Sequence, residues 1–400
     1  MFARTMRHVD IPRRFAARLF AVLSLVWLAA CDMPAMNTTG PSGQRIDPAA
    51  PVQVALLVPG GVNSEMSLIS SNIENAARMA ISELDGAQID LRVYTTNRDP
   101  ATAAAVASRA VNEGAKIILG PLDAQSAISA GNAVAGSNVN VLAFSNNPVV
   151  TNTTGSNTFV LGRTFENIAE RLVRYTMGQG ISRYAIVHQD DLAGSVGRDA
   201  IASTVRGSGA TVTSIQVYPF SQQGIFSAAP QITSAVRNSG AQAVFVTDTI
   251  NGGLALLATS MVDQGLDPAQ TPFVGLTNWE ATGQALTLPG LQNGYYARPD
   301  TSLAEQFSAR YAAIYGAPPH PLASIAYDGI AAVGSLVATG DSGALTTSSL
   351  TRRSGFAGAT GIFRLNADGT NDRALAVARI QNNQVVVVDP APRSFGVGGS

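Results

Sequence analysis

Groups able to do chemistry are few in this chain. It carries one cysteine, Cys31, and three histidines: His8 in a basic amino-terminal head, His188 at the end of an apolar run and His320 within the stretch APPHP. A dedicated zinc site draws on several thiolate or imidazole ligands, so no metal centre is expected. The chain has no G-x-S-x-G, no G-x-x-x-x-G-K-[ST], no G-x-G-x-x-G and no H-E-x-x-H. With them go the nucleophile elbow, the phosphate cradle, the dinucleotide turn and the metallopeptidase helix. Catalysis and a bound cofactor are therefore not expected. What remains at the ends of apolar runs is Gly60-Gly61, Gly120-Pro121-Leu122, Ser145-Asn146, Arg163, Asp190-Asp191, Asp248 and Trp279. Groups of this kind hold a small molecule rather than break one.

Cys31 stands apart from this set. Arg4, Arg7, Arg13, Arg14 and Arg18 precede the run LFAVLSLVWLAAC, whose apolar part has the length of an export signal rather than a membrane span. An exported chain with one thiol cannot close an internal disulfide, so a chemical use for Cys31 is expected. The alternative is a buried cysteine at the end of an uncleaved anchor helix. The tetrapeptide LAAC, residues 28–31, resembles the bacterial lipobox, which implies diacylglycerol on the Cys31 thiol, cleavage before it and acylation of the new amino terminus. Two or three acyl chains anchor a protein where one holds only weakly. Residues 1–30 then form the signal peptide, using the general secretory route. Residues 31–50, rich in Pro, Gly, Thr and Asn, form a flexible tether with a root-mean-square span of roughly 25 Å.

The following 350 or so residues are too many for one core, which points to two lobes. Net charge is −1 with Lys116 the only lysine, so neither a nucleic-acid surface nor an electrostatic membrane patch is expected. Residues 52–58, VQVALLV, read as a buried parallel strand that ends at Pro59. Ile73, Ala76, Ala77, Ala80, Ile81 and Leu84 then recur at helical spacing behind a cap at Ser71 or Asn72. Strands at 89–94, 117–119 and 139–144 alternate with helices at 101–113 and 123–134. After a turn-rich stretch and a short strand at 159–161, the same order restarts. Helices at 167–177, 195–205, 228–237 and 254–264 alternate with strands at 184–188, 212–218, 243–247 and 273–276. A strand near Tyr295, helices at 304–315 and 324–338 and a hairpin around Asn382-Asn383 complete the chain. Strict alternation predicts an α/β fold of doubly wound parallel sheets, here two in tandem.

The stretches VALLVPG, AKIILGPLDAQSA, VNVLAFSN, YAIVHQDDLAGSVGRD and ASIAYDGIAAV stand in the order and at the spacing of the type I periplasmic binding proteins, the leucine, isoleucine and valine receptors, which the chain resembles. The resemblance implies two lobes joined by three crossovers, with a ligand cleft between them that closes on its ligand. Lobe one would be 51–162 plus 277–370, lobe two 163–276 plus 371–390, and 391–400 a flexible tail. Within that family, ILGPL, AFSN, LASIAYD and VVVVDPAPRSF look most like the penicillin-binding protein activators. This similarity implies a non-enzymatic lipoprotein of a Gram-negative periplasm, anchored in the inner or outer membrane, that regulates a peptidoglycan synthase. The alternative is a receptor passing a branched-chain or related amino acid to an ABC permease.

In open parallel sheets a ligand sits beyond the carboxyl ends of the strands. Gly60, Gly61, Gly120, Pro121, Leu122, Ser145 and Asn146 follow strands of the first lobe, and the resemblance implies that they hold a ligand's carboxylate through backbone N–H groups and a helix dipole. Asp123 is the natural cap of the helix there, which would take those donors for itself. Asp190, Asp191 and Asp248 follow strands of the second lobe and either meet a ligand's ammonium or cap and brace their own loops. Arg163 either pairs with a ligand acid or packs the first crossover. Trp279 offers an apolar face to a ligand or belongs to the core. Many nutrient receptors have P-x-S-G after their first strand; here Pro59 is followed by Gly60 and Gly61, so the hydroxyl is missing.

Overall fold

The apolar run at 52–58 forms strand β1 (Val52–Val58), buried through most of its length, and opens a strict strand–helix alternation in the computed structural model, which describes residues 43–61, 63–281 and 283–395. Cys31, the expected signal peptide and residues 31–42 of the expected tether lie outside the described residues, as do residues 396–400 of the tail; residues 43–50 are not a free tether but lie against the first lobe, with Ile46 buried in its core, its N–H donating to the Ser342 carbonyl oxygen, and the Gly43 N–H donating to Asn138 Oδ1. The described helices are α1 (Ser64–Ser82), α2 (Pro100–Asn112), α3 (Ala124–Val134), α4 (Val149–Thr153), α5 (Phe165–Gly178), α6 (Leu192–Gly207), α7 (Gln222–Asn238), α8 (Leu254–Asp263), α9 (Thr301–Tyr315), α10 (Ser324–Val337) and the single turn α11 (Thr347–Leu350). Between them run β2 (Ile89–Thr95), β3 (Ile117–Leu119), β4 (Asn140–Ala143), β5 (Thr158–Val160), β6 (Arg183–Gln189), β7 (Thr211–Tyr218), β8 (Ala243–Val246), β9 (Phe273–Gly275) and β10 (Tyr295–Arg298). The carboxyl-terminal part adds β11 (Phe356–Gly358), β12 (Gly361–Leu365), β13 (Asn371–Arg373), β14 (Ala376–Gln381) and β15 (Gln384–Asp389).

Two doubly wound lobes result. The first has a parallel five-stranded sheet in the order β2-β1-β3-β4-β5. Ile73, Ala77 and Ala80 of α1 and Ile330, Val333 and Val337 of α10 bury one face, and Ala103, Ala107 and Ala110 of α2 help bury the other. The second lobe has seven strands, β15-β14-β10-β9-β8-β6-β7. Its parallel part is covered by α5 and α6 on one face and by α7 and α8 on the other. The β14–β15 hairpin joins antiparallel at the edge, closed by Asn382 and Asn383 at φ 52° and 62°, the left-handed pair that a two-residue turn requires.

Strand pairing moves two of the expected boundaries. β10 pairs with β9 and β14 in the second sheet, so the chain leaves that lobe after Arg298, not at Leu276. The last crossing comes after Arg373 rather than after residue 370, because β13 still pairs with β12 in a three-stranded antiparallel sheet that the sequence did not reveal. Helix α1 also starts earlier than its apolar stripe. Asn63, not Ser71 or Asn72, is the cap, its side chain accepting from the Met66 N–H at 2.8 Å.

Candidate functional site

A cleft of about 760 Å³ opens where the strand ends of the first lobe meet the crossovers. Each wall follows from local structure. The first turns of α1 bring Met66 and Ile69 to it, and the loops that follow the strands bring the rest: Arg98 after β2, Leu122 and Asp123 after β3, and Phe144 and Asn146 after β4. Phe307 of α9 and the stretch from Pro319 to Ile325 close the far side; Gly162, Arg163, Pro299, Arg373 and Ala374 form its floor of crossing strands. The second lobe contributes little beyond Asn278. The cleft is therefore apolar in its walls and cationic at its base.

Those cations differ in how they are held. Arg373 is occupied: its Nη1 donates to Asp328 Oδ2 at 2.8 Å, and its Nε and Nη2 donate to the Leu161 carbonyl oxygen. Asp328 is fully buried and its other oxygen accepts from the Ala359 N–H at 2.7 Å. Burial pushes its carboxyl above the usual range and the Arg373 charge pulls it back. Arg163, by contrast, makes no ion pair or hydrogen bond with any described residue. Protein crowds its charged end while the residue as a whole stays exposed at the cleft. Desolvation and the neighbouring Arg373 hold it down to about 10, which still leaves a full positive charge at neutral pH. Arg98 stands on a left-handed residue, φ 57°, also without an acidic partner among the described residues. On the acidic side, Asp123 caps α3 through Oδ1, which accepts from the Ser126 N–H at 2.9 Å, while its Oδ2 is buried without a partner among the described residues. An unpaired guanidinium in an apolar cleft favours an anion with an apolar body, and a carboxylate is the simplest such group.

Of the residues singled out from sequence, Leu122, Asn146 and Arg163 line the cleft. The others do not, and in most cases the reason is a bond made elsewhere. The Gly60 N–H donates to Ser70 Oγ at 2.8 Å, and Gly61 beside it faces solvent. The Gly120 N–H, at φ 86° with the Leu57 carbonyl where a Cβ would lie, donates to the Leu142 carbonyl oxygen; Pro121 has no N–H to offer. Ser145 is buried, its Oγ accepting from the Asn147 N–H and its carbonyl from the Gly162 N–H. Of the expected backbone donors, that of Gly120 is thus taken by the sheet and that of Gly60 by a serine of α1.

The acids of the second lobe fare the same way. The Asp190 N–H donates to the Tyr218 carbonyl oxygen, and its side chain lies exposed outside the cleft. Asp191 caps α6, accepting from the Gly194 N–H at 2.6 Å. Asp248 is 2% exposed, and its two oxygens accept from the Tyr218 hydroxyl and from the Thr249 and Gly253 N–H groups. Burial and this carboxylate push the Tyr218 hydroxyl far above its ordinary value. Trp279 is wholly buried, its ring 5.4 Å from that of Tyr296 and seated where Gly275 and Gly294 leave no Cβ in the way. Arg98 and His320 were missed by the sequence reading. The strand-end rule would have named Arg98 had it been applied to β2, whereas His320 reaches the cleft through a packing of α9 against α1 that leaves no local signal.

A family model described as "Periplasmic binding protein" matches residues 51–384. A comparison with curated protein sequences returned no match. Among solved structures, the chain is similar to a Rhodospirillum rubrum protein assigned to a branched-chain amino acid ABC transporter, at 15% identity and TM-score 0.70, over 85% of this chain and 100% of that one. It is similar also to a branched-chain amino acid ABC transporter periplasmic ligand-binding protein of Burkholderia xenovorans, at 16% identity and TM-score 0.67, over 86% and 97%. An ABC transporter substrate-binding protein of Desulfitobacterium hafniense in complex with Leu aligns at 17% identity and TM-score 0.61, over 85% and 100%. At these identities the likeness is one of fold.

Proposed function

Since the chain belongs to the periplasmic binding protein family, and so is a binding protein and not an enzyme, we propose that it is a receptor that captures a small carboxylate-bearing solute and presents it to an ABC permease. The observation that carries this reading is Arg163, a cation without a counter-charge at the base of an apolar cleft. The solved relatives named above, drawn from ABC transporters, support it. A ligand bound to the first lobe and then touched by the second favours the closed arrangement by that difference in contact, which is how such a receptor signals that it is loaded.

A thermal-shift panel of branched-chain amino acids and their deaminated acids tests it. One of them is expected to raise the melting temperature, since a ligand at a hundred times its Kd adds about 2.7 kcal/mol of stability. Arg163→Met is expected to weaken that ligand by about 10–100-fold, the worth of a charge-assisted bond. A silent panel, or a shift that Arg163→Met leaves unchanged, counts against the proposal.

One observation favours a second reading, a penicillin-binding protein activator. The backbone donors and acids that would hold an amino acid are engaged inside the protein, as Gly60, Gly120 and Asp248 show. On this reading the outer surface works, a peptidoglycan synthase is the partner, and pull-down of that synthase accompanies a silent panel.

Both readings place the protein in the periplasm of a Gram-negative bacterium, held by lipid on Cys31 after loss of residues 1–30, with 31–42 as the tether. Labelling cells with a radioactive fatty acid is expected to mark the native chain and not Cys31→Ala; equal labelling of both removes the anchor from the proposal.

A further inference from the structure

β7 closes one edge of the seven-stranded sheet, and no strand among the described residues lies beyond it. Natural edge strands are usually guarded by charge, proline or brevity. β7 runs eight residues, TVTSIQVY, with neither a charge nor a proline. Ile215 and Val217 are 41% and 50% exposed, and Phe220 and Leu192 nearby are 57% and 79% exposed. The Tyr218 carbonyl oxygen accepts from Asp190 on the β6 side. Because backbone groups alternate along a strand, those of Ile215 and Val217 point away from β6, toward the open edge.

We infer that β7 is an interface between two copies of this chain, pairing antiparallel with itself about a two-fold axis at Gln216. A two-fold perpendicular to the sheet keeps each face on its own side, so residues of equal parity must meet. Centred on Gln216, it sets Ile215 opposite Val217 of the second copy, twice, with both residues' backbone groups facing the partner strand. Four apolar side chains then cover one another. The segment used, 214–218, is the regular part of the strand, since the register slips by one residue before Ser214.

Charge argues for a second copy as the occupant. At the amino end of β7 lie Arg183, which is in register with Thr211, and Arg206, in the last turn of α6. At its carboxyl end lie Asp190 and Asp191. None of the four makes an ion pair with a described residue. Antiparallel self-pairing lays the acidic end of each copy along the basic end of the other and brings no like charges together within the strand.

The pairing is tested by cross-linking the full chain in intact cells. Gln216 would face Gln216 of the second copy at the close, non-hydrogen-bonded kind of pair, where Cα atoms stand about 4.5 Å apart and a disulfide fits. Gln216→Cys is expected to give, on mild oxidation, a disulfide dimer at twice the chain mass that dominates over any dimer from the unmodified chain, whose one thiol is Cys31, and over that from Glu305→Cys on exposed α9. Adding Ile215→Lys and Val217→Lys is expected to remove it. A Gln216→Cys dimer no stronger than the Glu305→Cys control overturns the inference, as does a cross-linked product of any other mass, which would mean that a different protein covers the edge. Should Gln216→Cys fail to accumulate, light scattering of the unmodified chain in detergent decides: a dimer supports the interface, and a monomer at every concentration refutes it. Cross-linking reads proximity at β7 and is independent of any solute in the cleft.

Discussion

Trp279→Ala lowers the free energy of unfolding by about 3–5 kcal/mol, the usual loss when a large aromatic leaves a close-packed core, and leaves solute affinity of the folded molecules within about twofold. The indole is wholly enclosed, packed against Tyr296 and the floor of β9 and β10. Its nearest approaches are to Gly275 and Gly294, where an added Cβ would come within 2.4 and 2.7 Å of the ring. Neighbours so close to backbone cannot collapse into the space left by an alanine, so the cavity term stays near its maximum. The ring nitrogen has no partner among the described residues, so the loss is one of packing and not of a hydrogen bond. Urea denaturation with a solute titration separates the possibilities. A loss of affinity at unchanged stability would return Trp279 to the ligand site.

Arg373→Met is expected to cost about 3–5 kcal/mol at neutral pH, because it strands the Asp328 carboxylate in the interior. Arg373 is 10% and Asp328 1% exposed, so water cannot take over the lost contact. The pH dependence identifies the cause. Burial already raises the Asp328 carboxyl, and Arg373 opposes it more than the Ala359 N–H does; without the guanidinium it rises further. A carboxyl whose folded value lies above its unfolded one binds its proton more tightly when folded, so the variant's deficit shrinks toward acid and grows as pH rises through that window. Paired denaturation of native and variant protein at pH 5 and pH 8 checks the sign. A deficit independent of pH would mean that the side chain acts through packing alone.

The fold was legible where burial on both faces writes an unbroken apolar run: 52–58 and 117–119 match β1 and β3 residue for residue. It was illegible where an element faces the cleft instead of the sheet. The first turns of α1 carry exposed Leu68 and half-buried Met66 and Ser70, so no stripe marks them and the cap at Asn63 passes unseen. β11 and β13 are three residues each, too short for alternation to show. The boundary expected at 276 lies too early because the 3₁₀ turns after β9 lead back into the same sheet through β10, and the crossing is Pro299-Asp300. The glycines named from sequence lie outside the cleft for one physical reason. A loop after a strand can be found from its glycine, but whether its N–H is free depends on a distant acceptor, as Leu142 is for Gly120. Arg163 lines the cleft because a charge at a crossover has few other places to go.

The stitching between crossovers also constrains how the lobes can move. Asn371 Nδ2 donates to the carbonyl oxygens of Val160 and Gly162, and Arg373 grips that of Leu161, so the first and third strands of the connection are riveted side by side. The middle strand passes through Pro299, whose ring fixes φ. These bonds lie on the first lobe's side of both crossings, so the two outer connections leave that lobe as one braced pair. Bending between the lobes is thereby confined to the few residues that follow Gly162, Arg298 and Arg373.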